Sequence, residues 1–539
     1  MSPSLRPWLL VLGAALCLIA ATPPAWFAGA SFRVLPGLAL QFAVARSDRW
    51  PRLGSYLLGV VHMAVFSWSL HHVLLGAWLA VALLGGLYYL AVAVLVRAVR
   101  PSLGPLVFAV AVAGASWLRA EMPEISYPHG QPCHSLWQYP WLLGAVRLGG
   151  EPLANALLAG LAATAVVGLG GAWRQAAGAL ALCVGVTLLG APTPRSESQE
   201  TVDVLAVEPG LHILDPFFQG TAAQWRRSVQ QRVEENLWRP TVQAAGPDAA
   251  DPPALVLWPE SSLPGGVIQD PGGGLRLGWL PPGFGLAADT RLLVGTDQQL
   301  PDGQRAIAAL LLDARGRPLD LHQKQRLVPG GEFVPFVSWL PESVADWIGR
   351  TFEAALGFYP RIESGLPREP LETAAGVKFA GLVCYDNAFP GPVAEAVRRG
   401  AQFVAVLSNE AWYRGGGELA QLAAITVIRA VAADVSIFRC TIDGWTMAVD
   451  RDGRILDQLD PASGDTGPRV LRVKNLPLRN GQGPPALWLH SALGWLAAGA
   501  LLLGCLHGLA RWVRLLRPGP PDVEMAGVPL RSAPPKGGS

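Results

Sequence analysis

Residues 377–386 read Val-Lys-Phe-Ala-Gly-Leu-Val-Cys-Tyr-Asp, an apolar run that ends on a thiol, Cys384, and turns polar at once. Short runs of this kind, bounded by turns, predict strands. Val377–Cys384 has seven counterparts, at Thr201–Val207, Ala254–Trp258, Arg291–Thr296, Ala306–Asp313, Phe403–Ser408, Val435–Cys440 and Thr446–Val449. Helical patterns lie between some of them, over Ala222–Asn236, Gly391–Arg399 and about Glu418–Ala433. Strands alternating with helices predict an α/β layered domain. The segments 313–316 (Asp-Ala-Arg-Gly) and 450–453 (Asp-Arg-Asp-Gly) are turn sequences between apolar runs, so each predicts a hairpin.

Working outward from Cys384, two more segments carry chemistry. Leu257-Trp258-Pro259-Glu260-Ser261-Ser262 places a carboxylate just past a strand. The run 324–335 (KQRLVPGGEFVP) offers Lys324 and Glu332. Strand ends are where an α/β sheet gathers groups from distant sequence. A thiol is a nucleophile only as thiolate, so it needs a base or a cation beside it. Glu260 can take the proton, and Lys324 can lower the thiol pKa and hold an oxyanion. Each residue alone reads more simply: a small core thiol, a solvated loop acid, a surface lysine. Their joint appearance in these longer segments is the specific signal.

Of the 539 residues, 51% are hydrophobic and 15% charged, against about a quarter charged in a soluble protein. The deficit falls in the first 195 residues and in one stretch near the C-terminus, which argues for a membrane part beside a soluble part. Candidate spans are about 8–23, 31–45, 53–72, 74–96, 103–118, 152–172, 175–192 and 487–510. Arginines favour alternate loops: Arg6, then Arg46, Arg49 and Arg52, then Arg97 and Arg100, then Arg174, and Arg511, Arg514 and Arg517 after the last span. That alternation puts both termini in the cytoplasm and residues 196–485 outside. The division expected is 1–195 transmembrane, 196–485 catalytic, 486–512 a closing transmembrane helix and 513–539 a disordered tail. A cleaved signal peptide over residues 1–22 is the alternative, and it leaves the sidedness unchanged. The net charge of +2 gives no footprint for nucleic acid.

The order WPES, K-x-x-LVPxGE-x-VP and CYD resembles the nitrilase superfamily, and within it the apolipoprotein N-acyltransferase family. The segments 407–412 (LSNEAW) and 439–444 (RCTIDG) agree, and the resemblance extends over nearly the whole chain. It implies a four-layer α-β-β-α sandwich inserted between transmembrane helices, seven before and one after. It also implies Glu260 as general base, Lys324 as the oxyanion-side cation, Cys384 as nucleophile, Glu332 as a supporting carboxylate, and Tyr385 and Asp386 as residues needed beside the nucleophile. The reaction implied is ping-pong. An acyl chain passes from a phospholipid, commonly phosphatidylethanolamine, to the thiol as a thioester, and then to the α-amine of a lipoprotein's diacylglyceryl-cysteine. The implied location is a bacterial inner membrane with the catalytic domain on the periplasmic side, and no cofactor is expected.

Four departures bear on the lipid pocket and the acceptor: Gly330 replaces an aromatic residue, Asp386 a glutamate, Phe217 a tryptophan, and 441–444 reads Thr-Ile-Asp-Gly. An acyltransferase or amidase acting on a different amine, and a non-catalytic lipoprotein-binding scaffold, therefore stay as alternatives. A transporter is disfavoured, because Gln41, His62 and Asn155 are nearly all the polar groups in the spans. Residues 333–360, with Phe333, Phe336, Trp339, Trp347 and Phe352 among charges, suit an amphipathic lid at the bilayer surface. Cys440 reads as structural and Cys133 has no evident role. His322 is expected on the opposite face from Lys324, and no clustering of Asp, Glu and His suggests a metal.

Overall fold

The run Phe403–Asn409 shows why this sequence makes a sandwich. Its seven residues are all buried: Phe403, Ala405 and Leu407 enter one apolar cluster while Val404 and Val406 enter another. A strand alternates its faces with period two, so an unbroken apolar run needs a layer on each side. The computed structural model describes residues 5–23, 29–192, 200–211, 221–356, 361–413, 416–461, 467–480 and 487–516.

The first part is helical: α1 (Arg6–Ala21), α2 (Val34–Ala45), α3 (Pro51–Phe66), the short α4 (Leu70–Val73), α5 (Leu75–Ala98), α6 (Gly104–Glu121), α7 (Gly144–Leu169) and α8 (Trp173–Leu189). Together with the final α14 (Leu487–Leu516) they account for the eight expected spans. Leu75–Ala98, Pro101–Glu121, Gly144–Leu169 and Leu487–Ala510 are long and apolar enough to cross a membrane, and Arg6–Ala21, Ala30–Ala45 and Trp173–Leu189 are shorter apolar helices. The chain is a membrane protein. Three boundaries differ from expectation. The span expected at 53–72 breaks after Phe66, and α7 begins at Gly144 and kinks at Gly149 and Gly150, where Gly150 takes a φ of 65°. The closing helix also runs on to Leu516; the expected tail beyond it lies outside the described residues.

Two sheets follow. The first is built from β1 (Thr201–Glu208), β2 (Leu255–Trp258), β3 (Val267–Gln269), β4 (Leu275–Leu277), β5 (Arg291–Gln299), β6 (Arg305–Leu312), β7 (Pro318–Gln323) and β14 (Arg469–Pro477), in the order β14-β1-β2-β5-β3-β4 with β6 and β7 branching from β5. The second runs β13-β12-β11-β10-β9-β8, from β8 (Leu371–Glu372), β9 (Lys378–Val383), β10 (Phe403–Asn409), β11 (Ser436–Ile442), β12 (Thr446–Val449) and β13 (Ile455–Leu459). All eight expected strands are present. The turns at 313–316 and 450–453 join antiparallel β6–β7 and β12–β13 as expected.

The sheets face one another across Val204, Leu257, Leu293 and Ala309 on one side and Phe379, Phe403, Leu407 and Phe438 on the other. The outer face of the first sheet is covered by α9 (Ala222–Val233) and α10 (Arg239–Ala245), through Val229, Val233 and Ala245. The region 333–360 holds α11 (Glu342–Leu356). The second sheet is covered by α12 (Pro390–Arg398) and α13 (Glu418–Ala433), through Val393, Val397, Ala423 and Val427. The architecture is α-β-β-α. That same outer cluster takes in Cys133, Leu136, Trp137, Val146 and Ala154 from the helical part, so sandwich and bundle share one apolar core.

Candidate active site

β2, β7 and β9 bring the three segments to one end of the sandwich. Lys324, fully buried just past β7, points its Nζ at Glu260 Oε1 (3.2 Å) and Glu332 Oε1 (2.5 Å). Each carboxylate is fixed by its second oxygen: Glu260 Oε2 accepts from the Asn409 amide (3.0 Å), and Glu332 Oε2 from the Val328 amide (2.9 Å). The general rule that buried charges are paired and hydrogen-bonded is met on every atom. Burial works against the Lys324 charge, but Glu260 and Glu332 outweigh it and hold the ammonium well above its usual range. Burial raises Glu332 in spite of that ammonium.

Cys384 follows the last residue of β9 and has a φ of 49°, a left-handed conformation rare for a side chain of this kind. Strain of this sort clusters at functional sites. Glu260 and Lys324 are the charged groups that act most strongly on the thiol. Burial, then Glu260, push the Cys384 thiol up to about 12 against the opposing pull of Lys324 and a hydrogen bond with Ser408. Two carboxylates face one cation here, so the thiol rests protonated and has a base waiting for its proton.

Asp386 aligns the two halves of the site. Its Oδ1 accepts from the amides of Gln325 (2.9 Å) and Arg326 (2.7 Å), and its Oδ2 from that of Val383 (3.1 Å). One carboxylate thereby ties the Lys324 segment to the end of the Cys384 strand. Burial raises it to about 6. Tyr385, also raised by burial, donates its hydroxyl to the carbonyl of Ser126 (2.9 Å) in the segment after α6, and its ring stacks on His129 at 6.2 Å. Arg326 reaches Glu121 at the end of α6 (3.0 Å) and lies over the Phe389 ring. The Cys384 turn is thus fastened to the helical part. Gly330 takes a φ of 78° in its turn, where an aromatic side chain would be strained.

Sequence reasoning missed Ser408 and Asn409, which touch the thiol and Glu260 from the end of β10; their segment was singled out, but without a role. Behind Ser408 lies a fully buried Glu410–Arg439 ion pair, with the Ser408 hydroxyl donating to Glu410 (3.0 Å). A Cβ on Gly444 would collide with the Glu410 carboxylate, which accounts for glycine there. Phe217 lies outside the described residues.

Two expectations need correction. His322 stands apart because its ring is engaged by the Gly381 amide (3.2 Å) and the Glu369 carbonyl (2.9 Å); residues two apart on a strand share a face, so spacing did not separate it from Lys324. Acid, histidine and thiol do cluster, at Cys133, His134 and Glu151, whose ligand atoms lie within 4.8 Å of one another. Both oxygens of Glu151 are engaged, by His134 Nε2 (2.6 Å) and Arg429 (2.9 Å). That guanidinium opposes a second cation. Cys133 is fully buried, and burial holds its thiol well up; with Arg429 already balancing Glu151, the cluster reads as a structural joint. Cys440 lies buried against the carbonyls of Val207 and Leu257.

The sandwich and its site define a class. Residues 289–467 match the carbon-nitrogen hydrolase family, a range that takes in Lys324, Glu332 and Cys384 but begins after Glu260. Residues 13–164 match the apolipoprotein N-acyltransferase N-terminal domain, and the two matches together span more than half the chain. An apolipoprotein N-acyltransferase from Caulobacter vibrioides is 27% identical over 510 residues, covering 86% of this chain and 88% of that one. One from Chlorobaculum tepidum is 32% identical over 156 residues, 27% of each chain. One from Geobacter metallireducens is 28% identical over 241 residues, 42% of this chain and 44% of that one. These last two matches span less than half of their relatives' length. Among solved structures, an amidase from Nesterenkonia sp. aligns at 20% identity and a TM-score of 0.32, covering 53% of this chain and 94% of that one. The chain thus joins an apolipoprotein N-acyltransferase N-terminal domain to a carbon-nitrogen hydrolase domain, and over most of its length it is similar to apolipoprotein N-acyltransferases.

Proposed function

We propose that this protein moves a fatty acyl chain from a phospholipid, phosphatidylethanolamine in the first instance, through a Cys384 thioester to the α-amine of a lipoprotein's N-terminal diacylglyceryl-cysteine. The observation that carries the reading is the buried Glu260–Lys324–Glu332 cluster beside a thiol at positive φ, fastened through Tyr385 and Arg326 to apolar helices. The thiol adds to the ester carbonyl while Glu260 takes its proton, and Lys324 stabilises the oxyanion. Collapse expels the lysophospholipid alkoxide, which recovers that proton from Glu260. The acceptor amine then attacks the thioester, Glu260 takes the proton of the amine, and the thiol leaves re-protonated. Glu332 fixes Lys324, Asp386 sets the spacing between the Lys324 and Cys384 segments, and Tyr385 anchors the turn.

Both substrates are lipid-anchored, so the reading places residues 196–485 on the periplasmic side of a bacterial inner membrane, with both termini in the cytoplasm. In the same reading the region 333–360 is the lid. Its Trp339 and Trp347 are 71% and 62% exposed, as suits side chains that enter a bilayer surface.

The test is transfer in phosphatidylethanolamine nanodiscs to a synthetic diacylglyceryl-cysteinyl peptide, read by peptide mass. One acyl chain should be added to the free-amine peptide and none to its N-acetyl form. Acyl release to water or to unrelated amines, with that peptide untouched, would instead favour the amidase reading that Gly330 and Asp386 keep open.

A further inference from the structure

Arg119, in the last turn of α6, is 7% exposed and has no carboxylate partner among the described residues. One guanidinium nitrogen donates to the carbonyls of Tyr127 (3.0 Å) and His129, and the titratable groups around it are the phenols of Tyr88, Tyr89, Tyr127 and Tyr385 and the imidazoles of His62, His129 and His134. A buried cation in a membrane bundle is costly without a counter-charge. The C-terminal end of α6 and the two carbonyls offset part of that cost. The remainder points into a cavity.

That cavity, of about 50 Å³, lies among α1, α2, α3, α5 and α6, and Arg119 forms part of its wall. Gln41, His62, Tyr89, Ser116 and Gln131 also line it, and its described lining has no acidic residue. His62 is held in place by Tyr89 (2.7 Å) and Thr22 (3.5 Å). The volume admits roughly four water-sized groups, as many as the oxygens of a phosphate. A planar guanidinium surrounded by hydroxyl and amide donors is suited to a tetrahedral oxyanion. We infer that this cavity binds a phosphate-class anion, either the phosphodiester of a membrane phospholipid or free inorganic phosphate. The site is separate from the thiol, though coupled to it: Arg119 holds the His129 carbonyl, and the His129 ring stacks on Tyr385.

The test uses full-length Cys384→Ala protein, delipidated in non-ionic detergent, so that no acyl chemistry enters and failure of the transfer reading leaves the result intact. Native mass spectrometry follows retention of short-chain phosphatidylethanolamine, sodium phosphate, and diacylglycerol of the same chains. Arg119→Gln should lower the retained phospholipid by about tenfold or more while leaving diacylglycerol unchanged. Ser116→Leu, which fills the cavity and spares the guanidinium, should do the same and decides the matter if Arg119→Gln does not fold. Loss of the phosphate adduct with unchanged phospholipid would assign the site to the free anion. Wild-type retention of both probes in both variants would overturn the proposal and leave a hydrated void.

Discussion

Among the described residues, two buried clusters are built from the same parts, a thiol, carboxylate and base, and they are put to opposite use. At Glu151 one carboxylate meets one guanidinium, from Arg429, and a histidine. Charge is balanced, every oxygen is engaged, and Cys133 beside it is sealed from solvent. At Lys324 two carboxylates meet one ammonium, and the thiol beside them is half-buried and sits at positive φ. A balanced cluster has no capacity to accept a proton. A cluster with a surplus carboxylate does, so the difference between a joint and an active site lies in charge count and access more than in residue type.

The largest expected effect separates the thiols. Cys384→Ala should abolish acyl transfer, a loss of at least about a thousandfold, while Cys133→Ala should leave the rate per folded molecule within about twofold of wild type; lysophospholipid release measures both. Next come the surplus acid and its cation. Glu260→Gln should cost roughly a hundred- to ten-thousandfold in thioester formation, and Lys324→Met a similar amount by removing the oxyanion partner. A third substitution inverts the pattern: Glu151→Gln leaves Arg429 buried and unpaired, which should cost about 3–5 kcal/mol in stability. Thermal unfolding in detergent should detect it, with activity per folded molecule retained.

The smallest effect is a pH dependence at Asp386. Its folded pKa of about 6 lies above the usual aspartate value, so between about pH 4 and 6 the folded state holds a proton that the unfolded state has released. Stability from this group is therefore full below about pH 4 and is lost as pH rises through 6. Acyl transfer should move the other way, falling below about pH 6 as the protonated carboxyl releases the Gln325 and Arg326 amides. Asp386→Asn should remove both trends within that window, read as the difference from wild type.

The strands near Cys384 were legible because both their faces are buried: no residue of Phe403–Asn409 or Ser436–Ile442 is exposed, and the first opens on five apolar residues in a row. Arg469–Pro477 was not, since it is a sheet-edge strand whose outward side chains include Val470 and Lys474. Glu260, Lys324 and Cys384 stood out by residue type and segment. The φ of Cys384 and the reach of Tyr385 to Ser126, 259 residues away, have no local signature. The Cys133 cluster was invisible for the same reason, because His134 and Glu151 meet Arg429 only once the bundle packs against α13.

The most direct measurement is the intact mass of the full-length protein after incubation with phosphatidylethanolamine, followed by peptide mapping. The account predicts one hydroxylamine-labile acyl adduct, on Cys384, absent from Cys384→Ala and undiminished in Cys133→Ala. An adduct on Cys133, or one that survives Cys384→Ala, would contradict it.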